Sequence, residues 1–139
     1  MIYLGLDLGS KTLGISISDR TSTIATSLEV IRYETEEELL RKLKDVVINY
    51  NVDAFVLGNP KNLDGSLSKR SEITLEFKDK LESIFNKEVI MQDERLSTVE
   101  AERMLINNNT KRKNRKKVID KIAATIILQG YLDRINHEK

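Results

Sequence analysis

The chain has no cysteine and a single histidine in 139 residues. Without cysteine, disulfides and thiolate metal centres are excluded. The histidine, His137, lies among polar residues near the C-terminus, so no histidine-based site is expected. Any metal site must then use oxygen ligands, which favours Mg²⁺ or Mn²⁺ over zinc. Long apolar runs are also lacking, and the N-terminus shows no basic segment followed by an apolar stretch. Neither a membrane span nor a secretory signal is expected, and a cytoplasmic protein follows. Net charge is almost absent too, at +1.

What is present suits one folded unit. Hydrophobic residues make up 40% and charged residues 32% of the chain, which fits a globular fold better than disorder. The length allows one domain with a real core, spanning 1–139. The charge is unevenly spread. Lys111, Arg112, Lys113, Arg115, Lys116 and Lys117 form a nearly continuous cationic run around Asn114, whereas Glu34-Thr35-Glu36-Glu37-Glu38 is acidic. A local basic run can contact phosphates even on a nearly neutral chain, although a charge run by itself is more often plain solvated surface.

Leu4, Leu6 and Leu8 alternate with Gly5 and Asp7, and Leu13 to Ser18 alternates again after the turn residues Gly9-Ser10-Lys11. The pattern predicts a hairpin, with a third strand over 24–31. Thr35 and Glu38 form a capping-box pattern ahead of Leu39, Leu40, Leu43, Val46 and Val47 at helical spacing. Ala54-Phe55-Val56-Leu57 reads as a buried parallel strand ending at Gly58. A helix is predicted over 67–85 with Ile73, Phe77, Leu81 and Ile84 on its apolar side, then a fifth strand over 88–92. Ser97 and Glu100 open a further helix through Met104 and Leu105. After a basic loop, a last helix carries Val118, Ile119, Ile122, Ala123, Ile126, Ile127 and Leu132. The expected fold is α/β: a five-stranded mixed sheet, antiparallel over its first three strands and parallel beyond, with helices on both faces.

The carboxylates stand out against this frame. Asp7 interrupts an apolar strand, and a charge there costs several kcal/mol, roughly, unless paired or bound to metal. Asp93-Glu94 closes the fifth strand, and Asp120 opens the last helix. Acids at strand ends and at a helix start, from distant parts of one domain, suggest a site for divalent cations. Two ions about 3.5–4 Å apart can activate water, stabilise a leaving oxygen and neutralise phosphate, which is what phosphodiester hydrolysis needs. Each acid also has an ordinary reading: Asp7 as a hydrogen-bonded turn residue, Asp120 as a helix cap. The glycines flanking Asp7 argue for close approach by something. Ala123, Ala124 and Ile127 share the side of the helix that carries Asp120, which places it on the packed face.

The order of elements and acids resembles the ribonuclease H-like fold. More specifically, the chain resembles the YqgF (RuvX) family, described as Holliday-junction resolvases and as pre-16S rRNA nucleases. The matching pieces are Gly5-Leu6-Asp7-Leu8-Gly9-Ser10-Lys11 with Gly14 and Ser18-Asp19; Gly58-Asn59-Pro60 with Gly65-Ser66; Asp93-Glu94-Arg95-Leu96-Ser97-Thr98 with Ala101-Glu102; and Ile119-Asp120-Lys121-Ile122-Ala123-Ala124 with Ile127-Leu128-Gln129 and Tyr131-Leu132. Each is weak alone, but four in order are specific, and they cover almost the whole chain. The family commonly has arginine after the lysine of the first motif, where this chain has Thr12. The resemblance implies a metal-dependent endonuclease that processes the 5′ end of pre-16S rRNA in association with ribosomal precursors, or alternatively one that resolves branched DNA. It places an acidic ligand in the Asp93-Glu94-Arg95 motif. Asp93 and Glu94 point to opposite faces of a regular strand, so only one can readily join Asp7 and Asp120. Glu94, with its longer reach, is the expected third metal ligand, and Asp93 is expected to hold the loop. Lys11 and Arg95 are candidate phosphate contacts, together with the basic run. Ser97 and Thr98 read as helix caps, since no base is placed to activate them.

Two rival classes share these features. Asp-x-Gly after a strand also occurs in actin-like ATPases and sugar kinases, but those need a second similar domain to close over ATP. A non-catalytic RNA-binding module would use the basic run but has no need for clustered acids.

Overall fold

The computed structural model describes residues 1–60, 69–93 and 112–137, with only the backbone course for 112–121. Five strands form one sheet: β1 (Tyr3–Leu8), β2 (Thr12–Ser18), β3 (Ala25–Arg32), β4 (Ala54–Asn59) and β5 (Val89–Asp93). Their order across the sheet is β3-β2-β1-β4-β5. β1 pairs antiparallel with β2, and β2 antiparallel with β3, whereas β4 runs parallel to both β1 and β5. The mixed sheet is the one expected, and the first strand of the chain lies at its centre.

Alternation along the strands sorts their side chains onto two cores. Leu4, Leu6, Leu13, Ile15, Phe55, Leu57 and Val89 face α1 (Glu36–Tyr50) and α2 (Lys69–Phe85), meeting Leu39, Leu43, Phe77 and Leu81. On the other face Tyr3, Ala54 and Val56 meet Ile127, Leu128, Tyr131 and Leu132 of α3 (Arg112–His137). Among the described residues, no helix is long and apolar enough to cross a membrane.

α1 starts as its sequence dictates. The Thr35 side chain accepts from the Glu38 backbone N–H at 3.2 Å. Glu38 reaches back to the N–H of Glu34 at 3.4 Å, one residue before the cap. Asn51 ends the helix in the left-handed region, at φ 53°, with its N–H on the Val47 carbonyl.

Three expectations need correction. Ile73 and Ile84 are about half exposed (51% and 53%), because the buried stripe of α2 is turned toward Ser71 and Thr74. Those small polar residues bury at low cost: Thr74 Oγ1 donates to the Arg70 carbonyl at 2.8 Å and Ser71 Oγ to the Pro60 carbonyl at 3.0 Å. The second correction concerns the basic run, which is no loop. From Arg112 onward it forms the first turns of α3, consistent with the high helix propensity of lysine and arginine. The third follows from it: Asp120 does not open a helix but lies more than two turns inside α3, so it cannot act as a cap. The helix expected at Ser97 to Leu105, with Ser97 and Thr98 as caps, and the Gly65-Ser66 part of the loop lie outside the described residues.

Candidate active site

β1 carries Asp7 to the carboxyl end of the central strand, on the face that packs against α3. Tyr3 and Gly5, on the same face, show the course of that helix. The Tyr3 ring meets Tyr131 edge-on with centroids 5.3 Å apart. A Cβ on Gly5 would stand 2.6 Å from the Leu128 Cβ and 2.9 Å from the Ala124 carbonyl oxygen. Two residues along a strand advance about 6.6 Å, which matches four to five helix residues at about 1.5 Å each. α3 therefore runs against the direction of β1, and one further step from Gly5 sets the turn of α3 containing Asp120 level with Asp7. Ser16 reinforces the contact, its hydroxyl donating to the Ala124 carbonyl at 2.7 Å. At the far end Gln129 binds the Ala25 N–H at 2.8 Å and the Thr23 carbonyl at 2.9 Å, while Asn136 donates to the Ser22 carbonyl at 2.8 Å. His137 ends α3 at that far end, away from Asp7.

The sheet leaves room around Asp7. Its register partner on β2 is Gly14. On the other side Leu6 pairs with Leu57, so the next residue along β4, Gly58, lies level with Asp7. Gly58 in turn pairs with Gln92 of β5, whose buried Oε1 has no hydrogen-bond partner. The row across this face thus reads Gly14, Asp7, Gly58, Gln92. The strand neighbours of Asp7 set no side chain beside its carboxylate. Asp7 also lines a broad groove of about 1130 Å³, with Gly9, Gly14, Val30, Arg32 and Arg70 among its walls.

The turn after Asp7 is held firmly. The Gly9 N–H donates to the Thr12 carbonyl at 2.7 Å, and a Cβ at Gly9 would crowd Thr12 Oγ1 at 2.6 Å. Tyr33 ties the same turn twice, its hydroxyl donating to the Gly9 carbonyl at 2.9 Å and its N–H to the Lys11 carbonyl at 3.0 Å. Burial raises the pKa of this phenol, so it keeps its donor proton well into alkali.

The other expected site residues are placed unevenly. Asp93 pairs with Asn59, and alternation from Val89 and Met91 puts it on the α1/α2 face, opposite to Asp7. Lys11 is exposed beside the groove and forms an ion pair with Glu34 at 3.3 Å. Glu94, Arg95 and Lys111 lie outside the described residues, as do the side chains of Arg112, Lys113, Arg115, Lys116, Lys117 and Asp120. Among the described residues no three acids or histidines converge in a metal-binding group. The chemistry available at Asp7 nevertheless suits a hard divalent cation: oxygen donors, no thiolate or imidazole nearby, and glycine on both neighbouring strands.

Sequence reading missed two groove residues, Arg70 and Arg32. Arg70 belongs to the first turn of α2, and its guanidinium donates to the carbonyl of Leu8, the residue after Asp7. Arg32 ends β3, opposite Thr12 in register. Each is a lone cation in the sequence, and only the strand order brings either near Asp7.

Two solved structures share the fold. A Holliday junction resolvase of fowlpox virus covers 96% of this chain and 99% of its own, at 20% identity and a TM-score of 0.54. RuvC of Thermus thermophilus, solved in complex with a Holliday junction substrate, covers 97% and 96%, at 12% identity and a TM-score of 0.59. The fold is therefore ribonuclease H-like. Sequence relatives are nearer. A protein of Geobacillus sp. (strain WCH70) named "Putative pre-16S rRNA nuclease" is 49% identical over 135 residues, covering 96% of this chain and 98% of that protein. One of the same name from Bacillus subtilis (strain 168) is 46% identical over 138 residues, covering 98% and 100%. A family model described as "RuvX: Holliday junction resolvase" matches residues 1–134. With nearly the whole chain matched at these identities, and with Asp7 on the central strand as the family motif leads one to expect, the protein belongs to the RuvX family.

Proposed function

We propose that this chain is a divalent-metal-dependent endonuclease that hydrolyses phosphodiester bonds, and that its substrate is the 5′ end of precursor 16S rRNA. One observation carries the reading: Asp7 stands at the carboxyl end of the central strand, between two glycine positions, in the wall of a broad groove. A structural aspartate has no need of glycines on both sides, whereas a metal-binding carboxylate that must admit a bulky phosphodiester does.

In this reading Asp7, Glu94 and Asp120 hold Mg²⁺ or Mn²⁺ ions, which when bound supply an activated water and stabilise the leaving oxygen. The chain's own residues do the rest. Gly14 and Gly58 set no side chain beside Asp7 on the two neighbouring strands. Tyr33 and the Gly9–Thr12 bond fix the turn that follows, so that Asp7 is pre-positioned rather than ordered on binding. The preference for rRNA rests on the names of the relatives. The description of the family model supports branched DNA as a second substrate reading.

The deciding experiment is cleavage of a precursor 16S rRNA fragment and of a four-way DNA junction, each with Mg²⁺ or Mn²⁺, by the wild type and by Asp7→Asn. Cleavage of the RNA that falls by orders of magnitude in Asp7→Asn, with folding retained, supports the reading. Cleavage of the junction alone shifts it to resolution of DNA. Full activity in Asp7→Asn removes the mechanism.

A further inference from the structure

We infer that Arg70 and Arg32 are two phosphate grips that bracket Asp7, and that the substrate strand crosses the β1–β2 hairpin toward the β3 edge. The inference rests on the nuclease reading and extends it by giving the path of the strand. Arg70 and Arg32 both line the groove that contains Asp7. Both are exposed, and neither forms an ion pair with a described residue. An arginine in a concave wall that no described carboxylate pairs is suited to an external anion, and its planar fork matches phosphate geometry.

Arg70 is held in place as well as exposed. Its bond to the Leu8 carbonyl fixes the guanidinium beside the residue that follows Asp7. Five N–H donors are available on that group, so donors remain for a ligand. On its other side Arg70 borders a smaller cavity of about 280 Å³ that also carries Glu36 and Glu76. Glu36 is paired there with Lys80 at 2.7 Å, so the described lining of that cavity offers no second unpaired cation and keeps Glu76 to repel a phosphate, whereas the Asp7 groove adds Arg32.

Arg32 marks the opposite end. Gly14 pairs with Val30 and Thr12 with Arg32, so the row from Asp7 continues over Gly14 to Val30, with Arg32 two residues along β3. Two strand spacings separate Asp7 from β3 by about 10 Å. Glu29, the other acid in the groove lining, pairs with Ile15, whose row belongs to the opposite face. Between Asp7 and β3 the row thus holds only Gly14 and Val30, with Thr12 beside Arg32, and a sugar-phosphate chain can lie flat over it.

The test measures affinity for a fluorescently labelled single-stranded RNA oligonucleotide against salt, using the full chain and the variants Arg70→Ala, Arg70→Lys, Arg32→Gln and the double variant. Each neutralised grip is expected to reduce the slope of log affinity against log salt by about 0.7, and the double variant by about twice that. Arg70→Lys keeps the charge, so it should keep the slope while losing part of the cleavage rate through poorer phosphate geometry. Lys44→Ala, on the exposed side of α1, serves as the control and should leave the slope unchanged. Urea unfolding of each variant separates lost binding from lost folding, and Arg32→Gln does not touch the Leu8 contact. A wild-type slope in folded Arg70→Ala or in folded Arg32→Gln overturns the proposal. The nuclease reading is judged separately by Asp7→Asn cleavage and can fail while both arginines still bind RNA.

Discussion

Gly5 of β1 and Ala124 of α3 meet backbone to backbone, for a Cβ on Gly5 would stand 2.9 Å from the Ala124 carbonyl oxygen. The same atom would press on Ser16 Oγ at 2.3 Å, the hydroxyl that binds that carbonyl. Gly5→Ala must therefore push α3 away or break the Ser16 bond. The expected cost is about 1–3 kcal/mol of overpacking, read from the urea midpoint. If Asp120 is a metal ligand as proposed, the shifted helix carries it away and cleavage should fall further than the unfolded fraction explains. A variant of wild-type stability would show that α3 yields freely here.

Asp93→Asn and Glu94→Gln are expected to differ. Asp93 lies on the sheet face opposite to Asp7, so its loss should leave Mn²⁺ affinity and cleavage within a few-fold of wild type. Glu94→Gln should weaken both by orders of magnitude if Glu94 completes the cage. Calorimetric Mn²⁺ titration beside a cleavage assay reads the two together. The opposite ranking would move the ligand to Asp93 and require β5 to twist at its end.

Asp19 gives a pH signature that involves no catalysis. Its carboxylate accepts first from the Thr21 hydroxyl and then from the N–H groups of Ile24 and Thr23, which lowers its pKa from 3.8 to about 2. A depressed folded-state pKa means that the unfolded chain takes up the proton first. The stabilisation is complete above about pH 4 and is lost as pH falls toward 2. Urea midpoints from pH 5 to pH 2 should therefore fall more steeply for the wild type than for Asp19→Asn. Parallel curves would show that the turn contributes nothing through this charge.

Neutralising Arg112, Lys113, Arg115, Lys116 and Lys117 to glutamine should keep α3 helical, since glutamine is close to lysine in helix propensity. Nucleic-acid affinity is expected to fall for every sequence alike, with the salt slope reduced by about 0.7–0.9 per lost phosphate contact. Mn²⁺ affinity should hardly change. Circular dichroism and salt-dependent binding check both halves, and an unchanged slope would mean that these cations are only solvated surface.

Much of this was legible in the sequence because two signals agree wherever they both occur. Leu4, Leu6 and Leu8 gave β1 by alternation, and Thr35 with Glu38 gave the start of α1 by its cap. The failures have physical causes. Ile73 and Ile84 carry the stronger hydrophobic signal, yet Ser71 and Thr74 bury instead because each hydroxyl finds a backbone carbonyl. The basic run looked like a loop because it offers no apolar face, yet helix propensity does not need one. With the run helical, Asp120 falls inside α3 rather than at its start. Arg70 and Arg32 carry no pattern at all. Their nearness to Asp7 is a property of strand order, which a linear reading does not contain.

The union of Ser16 with Ala124 spans 108 positions of chain, and among the described helices α3, the last to be made, is the one that packs on the face of the sheet that holds Asp7. Contacts of such long separation form late in folding, because loop closure must come before they are rewarded. A nascent chain can therefore pair β1, β2, β3 and β4 well before Tyr3, Ala54 and Val56 have anything to pack against. That interval exposes an apolar surface open to misassociation and calls for rapid docking once α3 has emerged. In the proposed reading it also keeps a nuclease harmless early in its own translation, since a chain that ends before Asp120 lacks one of the proposed ligands.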